Sequence, residues 1–168
     1  MNFYLFCCLV FSAWAAAVAF GDYRARRVPN ALVAFGFCAA LAASLLHAGP
    51  ARIGPGQALT AGLVGGAVLL PFFALGVMGA GDVKVFAVLG AWCGFHALPM
   101  LWLVASLAAG LHGLWIIVPL GLQKLKARSQ AVQTIRVGGR RGAPYAAFLT
   151  LPAVAWLAWQ LVVAGGAR

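Results

Sequence analysis

Acidic residues are nearly missing from this chain. Asp22 and Asp82 are the only carboxylate side chains among 168 residues, and all charged residues together make up 8%, where a soluble domain carries about 25%. So little charge beside 64% hydrophobic residues excludes a soluble globular domain. It is the profile of a polytopic membrane protein with little outside the bilayer. The length allows one compact bundle and no second domain, so residues 1–168 are read as a single membrane domain. Cys-x-x-Cys pairs are also missing. Cys7, Cys8, Cys38 and Cys93 lie inside apolar runs, where they are expected as small buried hydrophobes rather than a zinc knuckle or redox pair. His47, His96 and His112 are scattered without ligand spacing, so neither a metal nor a cofactor is expected. Finally, no positive residue precedes the first apolar run, whereas Arg24, Arg26 and Arg27 follow it. That order is reversed for a cleaved secretory signal, although Ala17-Val18-Ala19 resembles a cleavage site, and it predicts a retained first helix.

What remains is apolar sequence in six segments, which predicts an all-α bundle of about six transmembrane helices. They run from about Phe3 to Gly21, Asn30 to His47 and Ala58 to Met78. A stretch from Val83 to Gly121 is too long for one span of about 20 residues, and Gly94 and Pro99 divide it into a short fourth and a fifth helix. The sixth runs from Ala143 to Gly165.

The net charge of +10 does not imply nucleic acid, because the basic residues form no patch on a soluble fold. With the N-terminus outside, ten basic residues fall on the cytoplasmic side (Arg24, Arg26, Arg27, Lys84, Lys124, Lys126, Arg128, Arg136, Arg140 and Arg141), against Arg52 and Arg168 outside. That bias sets the orientation, and it places Asp22 and Asp82 together at the cytoplasmic face. Membrane lipid is the expected partner of the basic residues. In the basic loop, about 122–142, Leu122, Leu125, Val132 and Ile135 are spaced for one helical face; a helix lying on anionic lipid and a solvated loop both fit. Gly62-Leu63-Val64-Gly65-Gly66 contains a G-x-x-x-G, read as close packing within the chain.

Two carboxylates can hydrolyse a peptide if they share one proton, one activating water and the other protonating the leaving amine. Like charges about 3 Å apart cannot both ionise readily, so such a pair titrates as a unit. With no third acid in the chain, any dyad is Asp22 with Asp82. The competing reading makes Asp82 a helix cap and pairs Asp22 with Arg24 or Arg26. The joint pattern favours catalysis: the two acids are alone, share one face, and Asp82 follows Gly79-Ala80-Gly81. Helix dipoles would make Asp82, at a helix start, the more readily ionised base, and Asp22, at a helix end, the acid. Gly79 and Gly81 permit close backbone approach beside the reacting group.

These residues resemble the type IV prepilin peptidases, membrane aspartyl proteases of the G-x-G-D class. Asp22-Tyr23-Arg24-Ala25-Arg26-Arg27-Val28-Pro29-Asn30 looks like the family's first motif, an Asp, a basic stretch and I/V-P-N, and Gly79-Ala80-Gly81-Asp82-Val83-Lys84 looks like its G-x-G-D-x-K. Pro144-Tyr145 resembles the late P-Y-G, with Ala146 in place of the glycine. The resemblance implies a peptidase in the bacterial cytoplasmic membrane that removes the basic leader of prepilin and pilin-like precursors at the cytoplasmic surface, just before the apolar helix of the pilin. Asp22 and Asp82 match its catalytic aspartates. Gly79, Gly81, Lys84, Pro29, Asn30, Pro144 and Tyr145 match motif positions that shape the site. Larger relatives add a methyltransferase domain with paired C-x-x-C motifs, so this chain is similar to the short, tight-adherence (Flp-type) form and is expected to cleave without methylating. Archaeal preflagellin peptidases are similar. Lys84 either tunes the dyad or snorkels as a membrane anchor. Two other functions remain open from the residues alone: a small proton-coupled transporter and a non-catalytic pilus or secretion assembly subunit. The oligomeric state is not encoded in any of these motifs.

Overall fold

A computed structural model describes residues 3–25, 27–127 and 145–165, and everything described is helix or connecting turn. The helices are α1 (Phe3–Ala25), α2 (Asn30–Leu45), α3 (Pro55–Ala74), α4 (Ala80–Ala127) and α5 (Tyr145–Gly165). Four are long and apolar enough to cross a membrane: Phe3–Ala25, Pro55–Ala74, Ala80–His112 within α4, and Tyr145–Val162 within α5. At 16 residues, α2 is shorter, spanning about 24 Å against a hydrocarbon core of about 30 Å.

The six segments read from the sequence become five helices because α4 continues through a break. Gly94 has φ 72° and ψ 177°, a backbone conformation essentially restricted to glycine. The arm 80–93 runs antiparallel to α3: Gly65 faces the Phe86 carbonyl, Gly62 the Ala87 carbonyl, and Gly94 reaches Ile53 ahead of α3. The arm 95–127 then returns alongside α3. Leu98 lies against Gly65, and Trp102 meets Phe72 with ring centroids 6.3 Å apart. The two arms therefore cross the bundle in opposite directions, as separate fourth and fifth helices would. Gly94 alone makes the break; Pro99, close behind it, stays helical.

Small residues let these helices approach. A Cβ on Gly90 would overlap the Ala61 carbonyl, and one on Gly36 would overlap the Trp14 indole. The G-x-x-x-G of α3 does pack within the chain, with Gly62 and Gly66 both facing Ala87 of α4. Trp14 is buried and donates its indole N–H to the Leu32 carbonyl at 2.9 Å, tying α1 to the first turn of α2. Phe11, Trp14 and Trp92 form an aromatic centre between α1 and α4. Cys7, Cys8 and Cys93 are buried as expected, but Cys38 is exposed on α2. Most of the basic loop lies outside the described residues; its first positions extend α4 to Ala127.

Candidate active site

One end of the bundle gathers the end of α1, the start of α2, the start of α4 and the start of α5. α1 runs on to Ala25, beyond the Gly21 limit read from hydropathy, so Asp22 stands in its last turn. Val28 precedes a proline and is thereby steered away from helix. Pro29, at φ −60° and ψ 137°, caps α2, its carbonyl accepting the Leu32 and Val33 amides at 3.0 and 3.2 Å. α2 thus begins within a few residues of the end of α1.

Asp82 sits in the first turn of α4. Its Oδ2 accepts the Gly79 amide at 3.1 Å, and its own amide donates to the Gly79 carbonyl at 3.1 Å. The side chain thereby satisfies a helix-end N–H that has no intrahelical partner. A Cβ on Gly79 would stand 3.1 Å from that same carboxylate oxygen. Gly81 faces Val28, where a Cβ would be 3.7 Å from the valine. Lys84 donates from Nζ to Asn30 Oδ1 at 2.8 Å. The two motif segments, 54 residues apart at that contact, therefore dock on each other through Gly81–Val28 and Lys84–Asn30.

The third segment completes the cluster. The Ala147 amide, in the first turn of α5, donates to Asp22 Oδ2 at 3.1 Å. The preceding amide, that of Ala146, faces Asp82, which lies within Coulombic range of Asp22. Two consecutive N–H groups of one helix start thus address the two carboxylates. Taken by their own helices alone, the two aspartates lie at ends of opposite polarity. Asp22 ends α1 but is held by the start of α5, so both acids sit at positive helix ends. Asp22 is buried at 7% exposure, and Asp82 is half-buried.

Beside Asp82 opens a cavity of about 400 Å³, lined by Gly79, Ser106 and Tyr145 with Phe72, Met78 and Trp102 among its apolar walls. The larger cavity of about 580 Å³ lies at the opposite end, by Gly94 and Ile53, and holds neither aspartate. Of the motif residues read from sequence, Asp22, Pro29, Asn30, Gly79, Gly81, Asp82, Lys84 and Tyr145 come together here. Pro144 lies outside the described residues. The sequence reading missed Ser106, whose hydroxyl shares a hydrogen bond with the Tyr145 hydroxyl at 2.9 Å. A lone serine in an apolar run gives no signal that could have singled it out. Among the described residues, no three His, Cys, Asp or Glu side chains gather as a metal site.

No curated protein and no solved structure matches the chain significantly. The sequence profile of the type IV leader peptidase family matches residues 9–114, which include both aspartates and both docked motif segments. This multi-pass helical membrane protein therefore belongs to the type IV leader peptidase family.

Proposed function

We propose that the protein is an aspartic endopeptidase that removes the basic leader of type IV or Flp-type prepilins and related precursors at the cytoplasmic face of the bacterial inner membrane. The observation that carries this reading is the meeting of the only two acids in the chain. Asp22 is held by the Ala147 amide of α5 and Asp82 by the Gly79 amide, with a cavity beside Asp82. One carboxylate takes a proton from water as the oxygen attacks the scissile carbonyl carbon. The shared proton supports the tetrahedral oxygen. The C–N bond then breaks as the other carboxylic acid protonates the leaving amine. The basic residues that set topology support the cytoplasmic placement, since Arg24, Arg27 and Lys84 are exposed at the aspartate end and Arg52 at the other. A proton relay across the membrane draws no support from two carboxylates at one end.

The test is cleavage of a precursor by purified enzyme in lipid. Asp22→Asn and Asp82→Asn each abolish cleavage while the protein still inserts, and the double variant is scarcely worse, because groups that act as a unit lose nearly everything on single removal. Near wild-type cleavage by either single variant would sink the dyad. Cleavage persists in chelator, and with a methyl donor present the new N-terminus stays unmethylated by mass spectrometry. A methylated product from this chain alone would refute the peptidase-only form.

A further inference from the structure

The first turn of α5 carries the amides that face both aspartates, yet its N–H groups have no intrahelical acceptors to keep them in place. Something else must hold that turn, because reacting groups tolerate only about 0.5 Å of error. One contact that reaches it from α4 is the Ser106 hydroxyl. The hydroxyl residues of the other described helices bond back to their own turns: Ser12 to the Cys8 carbonyl, Ser44 to Leu41, Thr60 to Gly56 and Thr150 to Ala146. That is the ordinary behaviour of Ser and Thr within a helix. Ser106 bonds instead across to Tyr145, the first residue of α5. Within a bilayer, such an interhelical polar contact acts as a specific fastening. A second contact, the His112 ring against Phe148 with centroids 5.5 Å apart, follows on the same two helices.

We propose that Ser106 is a positioning residue: through Tyr145 it fixes the start of α5, and so sets where the Ala147 amide holds Asp22 relative to Asp82. This rests on the peptidase reading of the site. Ser106 touches no reacting atom; its effect is on the spacing of the pair.

The test measures steady-state cleavage of a precursor peptide, a basic leader followed by an apolar stretch, by the full chain in lipid. Ser106→Ala lowers kcat by about three- to tenfold, the worth of one neutral hydrogen bond, with KM unchanged. Ser106→Thr, which keeps the hydroxyl, restores it. Tyr145→Phe reproduces the loss, and the double variant is no slower than either single one, since one hydrogen bond is removed in each case. Should Ser106→Ala fail to insert, Tyr145→Phe decides alone. A wild-type kcat in Tyr145→Phe or Ser106→Ala overturns the proposal. So does a defect in Ser106→Thr as large as that of Ser106→Ala, or a change in KM alone, which would assign Ser106 to substrate contact. If the wild-type enzyme fails to cleave, or Asp22→Asn cleaves normally, the peptidase reading itself falls and takes this proposal with it.

Discussion

At the scale of residues, the site is an arrangement of backbone amides around two carboxylates. Gly79 and Ala147 supply N–H groups at 3.1 Å, one to each aspartate. The Gly79 position is the more sensitive to size, because an added methyl would stand 3.1 Å from Asp82 Oδ2. That is too close for a comfortable contact and too far to be impossible, so the carboxylate would give by a few tenths of an ångström. Gly79→Ala is therefore expected to fold normally, the glycine being exposed. It should lose about three- to tenfold in kcat/KM, short of the ~100-fold that a 1 Å misplacement costs. Cleavage kinetics beside a thermal melt in detergent separate the two effects; a wild-type rate would show that Asp82 need not keep its present rotamer.

At the scale of elements, the reversal inside α4 decides what faces the site. Without it, the arm 95–127 would continue out of the bundle and Ser106 would never return to the cavity that Asp82 lines. The reversal depends on one backbone conformation at Gly94, φ 72° with ψ 177°. A methyl there would meet Ile53 no closer than 3.4 Å, so conformation rather than space is the constraint. Gly94→Ala is expected to destabilise the fold by about 1–3 kcal/mol, read as a lower unfolding midpoint. Any fall in activity should follow the folded fraction, since Gly94 lies at the end away from the aspartates. An unchanged midpoint would mean that the two arms are held apart by packing on α3 alone.

At the scale of the whole molecule, an alternating path brings the end of α1 and the starts of α4 and α5 to one end of the bundle. Reporter fusions after His47 and after Gln130 are expected in opposite compartments, outer and cytoplasmic respectively. Equal compartments would break the alternation and count against the cytoplasmic placement proposed for the aspartates. The chain keeps this path with almost no charge inside: among the described residues Asp22 is the buried ionisable acid, and an amide meets it. A lone carboxylate in an apolar surround is costly unless hydrogen-bonded, which is the physical reason that α5 must close over α1 for the site to exist.

The sequence alone determined the class and the acids. Apolar runs of bilayer length require helices, because a lipid-exposed backbone must satisfy its own hydrogen bonds. The scarcity of acids named Asp22 and Asp82, and the resemblance to the family's motifs picked out Pro29, Asn30, Gly79, Gly81, Lys84 and Tyr145 around them. The break at Gly94 was legible for the same reason, as the run was too long for one span. Tertiary structure decided what depends on contacts between distant segments. Hydropathy ended the first helix at about Gly21, whereas α1 runs on to Ala25 and an amide of α5 meets the buried Asp22. Helix ends read one at a time set the two aspartates apart, yet the start of α5 serves both. Ser106 carries no pattern of its own; its place in the site comes from the return of α4 and a hydrogen bond spanning 39 residues. Local sequence fixes which segments are helical and apolar. Which side chain meets which across the bundle is set by packing, where a single glycine such as Gly36 beneath Trp14 or Gly90 against Ala61 determines how closely two helices approach.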